Sequence, residues 1–199
     1  MPMTGSNFPA HSFGVPIMIY PQCRSSLISL GLLLAIGSAH AADAMVTWPP
    51  GWEVEPLPAT TAAQGQPSVQ MRQRAVKNDQ NGNPVMVMEL TQTQLQAGHQ
   101  VNVQSVLLEM RKSIQINFAR DGFQSVCSKV HEGTLSALPS LETTCSITQN
   151  GGHVMTQTLV AAATKDTAWL LSYAGSADGY EATKEEVQHI RDSLQLVVE

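Results

Sequence analysis

Downstream of residue 41, the side chains with the widest chemical reach are two cysteines, four histidines and one serine–aspartate pair. Cys127 and Cys145 enclose 17 residues that read as a hairpin, with no Cys-x-x-Cys spacing. Such thiols can hold a metal, run redox chemistry or join as a disulfide, and an oxidising compartment selects the disulfide. His131 stands four residues from Cys127, but none of His99, His131, His153 and His189 sits with another His, Cys or paired acid in a known ligand pattern. Zinc-type sites need convergent ligands, so no metal is expected. His131 ends one extended segment and His153 begins another, so they could approach each other across the sheet, but a surface pair without a metal is the expected reading. Met86 and Met88 share a strand face, an arrangement that can serve copper in an exported protein. Six methionines follow residue 41, however, and methionine fills cores readily, so packing is the expected role.

Ser176 and Asp178 lie in Gly175-Ser176-Ala177-Asp178-Gly179. Nucleophilic catalysis needs a base beside the serine and a holder for the oxyanion, and no Gly-x-Ser-x-Gly is present. Asp178 is expected to cap or precede the last helix. Glu185-Glu186 opens that helix, where the dipole favours negative charge without any acid–base role. Gly151-Gly152 reads as a turn rather than a phosphate cradle. These readings leave no catalytic residue, no cofactor and no metal. Among the aromatics, Trp52 and Trp169 are expected in the core. Trp48 precedes two prolines, where full burial is harder, and is the candidate partner contact.

The compartment is read from residues 1–41. Arg24 is the only charged side chain before Asp43. An apolar run from Leu27 to Ile36 follows, and Ala39-His40-Ala41 supplies small residues where a signal peptidase reads them. The apolar part is about 11 residues, against about 20 for a spanning helix, so a membrane anchor is disfavoured. Cys23 precedes the apolar run and is misplaced for lipoprotein processing. Met18 is favoured over Met1 as the start. Cleavage at Ala41-Ala42 removes 41 of 199 residues and one Arg, leaving 158 residues with 10 basic and 16 acidic side chains. That is one domain's worth, residues 42–199. The acidic balance repels phosphate backbones and anionic lipid, so no nucleic-acid partner and no stable membrane insertion after cleavage are expected.

The elements that must position these residues follow from periodicity. Trp48-Pro49-Pro50-Gly51-Trp52 is a rigid bend leading into a short extended segment, and Thr60–Pro67 reads as a loop. Ser68–Lys77 and Val85–Leu95 alternate around Asn78–Asn83, whose Asn-Gly suits a hairpin turn, with Met86, Met88 and Leu90 facing inward. Val101–Arg120 switches to helical spacing through Val103, Leu107, Met110, Ile114 and Phe118, with Asn102 as its cap and Asp121-Gly122 as its end. Four extended segments follow. Phe123–His131 and Leu141–Thr148 flank a loop containing Gly133 and Pro139, and as a hairpin they bring Cys127 near Cys145. His153–Ala163 and Thr167–Gly175 come next, with Trp169, Leu171 and Tyr173 on one side. A final helix has Thr183 and Glu186 as a capping box and Val187, Ile190 and Leu194 on its buried face. Helices in this order cannot serve as crossovers of a parallel sheet, so the class is α+β, an antiparallel sheet packed with a middle and a C-terminal helix.

The Pro-Pro-Gly-Trp entry, early hairpin, single middle helix, four-strand meander and C-terminal helix resemble the PsbP-like/DcrB-like fold family over approximately Trp48 to Val198. The resemblance implies an α/β/α sandwich. It also implies assembly or accessory roles, such as binding a partner protein, more often than catalysis. That family shares no catalytic motif, so no functional residue is carried over. The expectation is an exported, periplasmic or secreted, non-enzymatic protein that binds a protein or envelope component. The alternatives are a small envelope hydrolase with a site built from scattered residues, and an immunity-type inhibitor of an envelope-targeted toxin.

Overall fold

The computed structural model describes residues 44–59, 68–98 and 100–196. The signal-peptide reading, the Thr60–Pro67 loop and His99 lie outside these residues. The elements in chain order are β1 (Ala44–Met45), β2 (Trp52–Leu57), β3 (Ser68–Asn78), β4 (Pro84–Gln94), α1 (Val103–Arg120), β5 (Gln124–Cys127), β6 (His131–Leu135), β7 (Leu138–Gln149), β8 (Gly152–Ala163), β9 (Thr167–Ser176), α2 (Ala177–Ala182), α3 (Lys184–Ser193) and β10 (Gln195–Leu196). Eight strands form one sheet in the order β2-β3-β4-β9-β8-β7-β5, with β6 also on β7, and every pairing is antiparallel. β1 and β10 form a separate two-stranded ribbon.

Alternation explains the sheet. On β4 the buried positions are Met86, Met88, Leu90 and Gln92, and the residues between them are only partly covered. Each large apolar side chain removed from water in this way contributes about 1.5–3 kcal/mol. Their face also carries Trp52, Ala75, Val160, Leu171 and Tyr173, and α3 covers it with Val187, Ile190 and Leu194. The opposite face carries Leu159 and Ala161, against which α1 buries Leu107 and half-buries Val103, Met110 and Ile114. Helices thus lie on both faces, as the α+β sandwich requires. Asn102 Oδ1 accepts the Ser105 N–H at 3.0 Å to start α1. Gly122, at φ +80°, ends it.

Three local expectations need correction. Phe123–His131 is two strands, not one, because Ser128-Lys129-Val130 leaves the ladder before β6 returns to β7. Gly133 and Pro139 consequently sit inside β6 and β7, opposite Ser140 and Thr134, instead of in a loop. The capping box does not form. A short helix, α2, runs directly into α3, so the Thr183 N–H that the box would offer to Glu186 donates instead to Gly179 O at 3.0 Å. The Thr183 hydroxyl donates back to Gly179 O at 2.7 Å, and Glu186 is engaged elsewhere.

Both outer edges of the sheet are blunted. β2 carries Glu53, Glu55 and Pro56, a combination that discourages strand addition. At the β5 edge α1 lends its side chains: Gln115 Nε2 donates to Ser125 O and Arg111 Nη1 to Ser128 O just past the strand, each at 3.2 Å.

Candidate functional site

The bend before β2 fastens the start of the domain to α3. Trp52 is buried, and its Nε1 donates to Glu186 Oε2 at 2.7 Å. Lys77 Nζ donates to the same carboxylate oxygen at 3.0 Å and to Pro50 O at 3.3 Å. Burial alone would raise the Glu186 pKa, but the Trp52 and Lys77 hydrogen bonds outweigh it and hold the carboxyl below its usual range. Trp48 packs its ring 5.9 Å from that of Trp52 and remains half-buried. It therefore keeps some exposed indole surface, while its inner face belongs to the core.

The polar groups on the α3 face are arranged around Arg191. Its Nη2 donates to Glu142 Oε2 at 2.7 Å and its Nη1 to Tyr173 Oη at 2.9 Å, and the Arg and Glu side chains are each 16% exposed. Burial would lower the guanidinium pKa, but Glu142 and Tyr173 reverse the shift and raise it. Tyr180 stacks on Tyr173 at 5.9 Å, and its Oη lies 2.7 Å from Thr158 Oγ1, which is 2.8 Å from Thr144 Oγ1. Burial, with the neighbouring Tyr173, drives the Tyr180 pKa far above its ordinary value. Beside Arg191 is a recess of about 380 Å³ lined by Thr134, Ser136, Gln188, Asp192 and Leu194. The strongest donors and acceptors here are engaged with one another, which is the arrangement of a structural network.

The residues singled out by chemistry separate. Cys127 and Cys145 are register partners on β5 and β7, with their sulfurs at 2.04 Å, on the face covered by α1. His131 lies opposite Glu142 on β7, with Nε2 to Oε1 at 3.9 Å, whereas His153 lies opposite Thr148 and meets Thr156 Oγ1 and Met155 O at 3.0 Å. Strand register keeps the two histidines apart. Ser176 Oγ accepts the Gly179 N–H at 3.0 Å and so caps α2, with Asp178 in the first turn. Among the described residues no three His, Cys, Asp or Glu side chains converge. No described helix is long and apolar enough to cross a membrane.

A second recess, of about 260 Å³, lies where the start of α1 meets β4, β8 and β9, and its lining is almost wholly apolar. Leu95, Val101, Val103, Ala161 and Leu170 form its walls, and Val106 stands at it with 41% of its surface exposed. Leu108 and Ile116 on the same helix are also exposed, at 39% and 43%. Sequence reading followed the buried stripe of α1 and passed over these three residues. Their apolar character off that stripe was the available signal. Arg191 and Glu142 were passed over because nothing in their local spacing announces a partner 49 residues away.

The family described as Domain of unknown function (DUF4946) matches residues 43–196. No curated protein matches the chain. Among solved structures, cyanobacterial PsbP (CyanoP) from Synechocystis sp. PCC 6803 is similar over 83% of this chain and 99% of that one, at 9% identity and a TM-score of 0.51. LpqN, involved in cell envelope biogenesis of Mycobacterium tuberculosis, aligns over 77% of this chain and 82% of its own, at 16% identity and a TM-score of 0.49. The likeness to PsbP shows a PsbP-like fold, as the order of elements in the sequence implies.

Proposed function

The chain belongs to the DUF4946 family, and for this member we propose an exported, non-enzymatic accessory role in the bacterial envelope, binding a protein or another envelope component. The observation that carries this reading is the open apolar recess at the start of α1. Val106 stands exposed at the rim of that apolar recess, while the strongest polar groups of the opposite face are engaged with one another. Apolar surface left beside a preformed recess is the usual mark of a contact site. A non-enzymatic role is supported by the structural employment of Ser176, which caps α2, and of Glu186, which ties Trp52 and Lys77 to α3. Export is supported by the basic, apolar, small-residue order of residues 24–41. Trp48, half-exposed on the α3 side, is the second contact we propose.

The test places a photo-crosslinking amino acid at Val106 or at Trp48 in the full chain, expressed in its host. The expected result is one reproducible adduct from the envelope fraction, lost when Val106→Asp is combined with the Trp48 probe or Trp48→Ala with the Val106 probe if one partner spans both. Amino-terminal sequencing of the same material is expected to begin at Ala42. Absence of adducts at both positions, together with turnover in a hydrolase substrate screen, would reverse the reading.

A further inference from the structure

Three buried side-chain atoms lack a hydrogen-bond partner among the described residues: Trp169 Nε1, Gln92 Oε1 and Ser140 Oγ. They are not scattered. Gln92 is the register partner of Trp169, Trp169 of Ala162, Ala162 of Ser140, and Ser140 of Gly133. All three therefore stand in one row across β4, β9, β8 and β7, on the face that α3 covers. Between and beyond them stand Ala162 and Gly133, which carry no polar side-chain group that could pair with any of the three.

The direction of the Gln92 amide is set by its neighbours. Gln92 Nε2 reaches Gln70 Oε1 at 3.5 Å, Gln70 Nε2 donates to Gln94 Oε1 at 2.9 Å, and Gln94 Nε2 donates to Asp166 O at 3.0 Å. Each amide spends its N–H towards the surface. The chain therefore leaves a carbonyl oxygen at its inner end, on the strand next to an indole N–H that has no acceptor. A donor and an acceptor are held on adjacent strands without meeting.

We infer that one ordered water bridges Trp169 and Gln92, accepting the indole N–H and donating to the amide oxygen. Water is the occupant that supplies both functions at once, and small buried gaps with polar walls are wet where apolar ones are dry. Ser140, two strands along, extends the same hydrated row.

The test uses the ¹⁵N-labelled, disulfide-intact protein. The Trp169 indole resonance is the one that vanishes in Trp169→Phe, and Trp48 and Trp52 serve as internal references. A cross-relaxation peak between the Trp169 indole proton and water, of the sign for long residence, is expected. In Gln92→Met it disappears and the indole proton moves upfield. Stability gives an independent reading: the Gln92→Met/Trp169→Phe double variant is expected to lose less than the sum of the two single losses, because removing both groups leaves nothing unpaired. Absence of a water peak in the parent protein, with the indole resonance unmoved by Gln92→Met, would overturn the inference. So would a crystal structure with the indole nitrogen bonded directly to Gln92.

Discussion

Trp52 and Glu186 are 134 residues apart in the chain and 2.7 Å apart in space, joined by a hydrogen bond from indole nitrogen to carboxylate. With Lys77 on the same carboxylate, this contact holds β2, β3 and α3 together. Replacing Glu186 with Ala is expected to cost about 1 kcal/mol, a figure kept low because the carboxylate is partly solvated. The Glu186 pKa is lower folded than unfolded, so its contribution is fully present above about pH 4.3, the unfolded value, and is lost as pH falls through the lower folded value. The melting temperatures of parent and Glu186→Ala are therefore expected to differ at pH 7 and to converge in strong acid.

Arg191 and Glu142 form the most enclosed ion pair described here, each 16% exposed. Arg191→Met leaves the Glu142 charge without its partner and is expected to cost about 3 kcal/mol in urea denaturation. The Arg191→Met/Glu142→Leu double variant is expected to recover much of that loss. A double-variant loss equal to the sum of the Arg191→Met and Glu142→Leu losses would mean that the pair is not coupled.

Tyr180 resists ionisation because its ring is half-buried against Tyr173. Its folded pKa is raised, so its contribution to stability is intact below about pH 10, the unfolded value, and declines as pH rises beyond it. In an alkaline titration followed by phenolate absorbance, Tyr180 is expected to ionise only as the fold opens. Tyr180→Phe removes that late step.

Gly175 lies where β9 passes close to β4. A Cβ there would stand 2.5 Å from Val85 O and 3.0 Å from the end of the Met86 side chain. Backbone cannot yield as a flexible side chain can, so Gly175→Ala is expected to destabilise by about 1–3 kcal/mol, read as a lower urea midpoint. Gly82→Ala makes a control of another kind: it meets no neighbour but must hold φ +82°, and is expected to cost about 1 kcal/mol.

The Cys127–Cys145 link closes a loop with a sequence separation of 18, and the chain-entropy account assigns such a loop about 3 kcal/mol. Thiol labelling of unreduced protein distinguishes the processed chain from the precursor. The processed form is expected to take up no label, whereas a precursor retaining Cys23 takes up one.

Elements whose pattern is local were legible in the sequence. β4 alternates cleanly, Asn102 and Gly122 bracket α1, and Asn-Gly marks the first hairpin, each through the conformational preferences of its own residues. The break at Ser128 was not legible, because β7 is long enough to receive two short strands and only the folded sheet reveals that. Thr183 and Glu186 have the spacing of a capping box, yet Gly179, four residues back, takes the Thr183 hydroxyl and the distant Trp52 and Lys77 take Glu186. At the candidate contact surface the chain offered Val106 plainly, but a single stripe was enough to justify a helix, so apolar residues off the stripe went unread. The row of Gln92, Trp169 and Ser140 depends on register across four strands, which no spacing within the chain encodes.

Ala44 and Leu196 are partners in the small ribbon formed by β1 and β10. A chain whose first and last strands already touch can be reconnected by a short Gly-Ser bridge and opened elsewhere. The exposed Asn81-Gly82 turn is the natural place to open it, and the resulting circular permutant should retain the fold. Affinity tags are less innocent for the same reason: joined directly before Ala44 or directly after Leu196, they meet at one and the same ribbon.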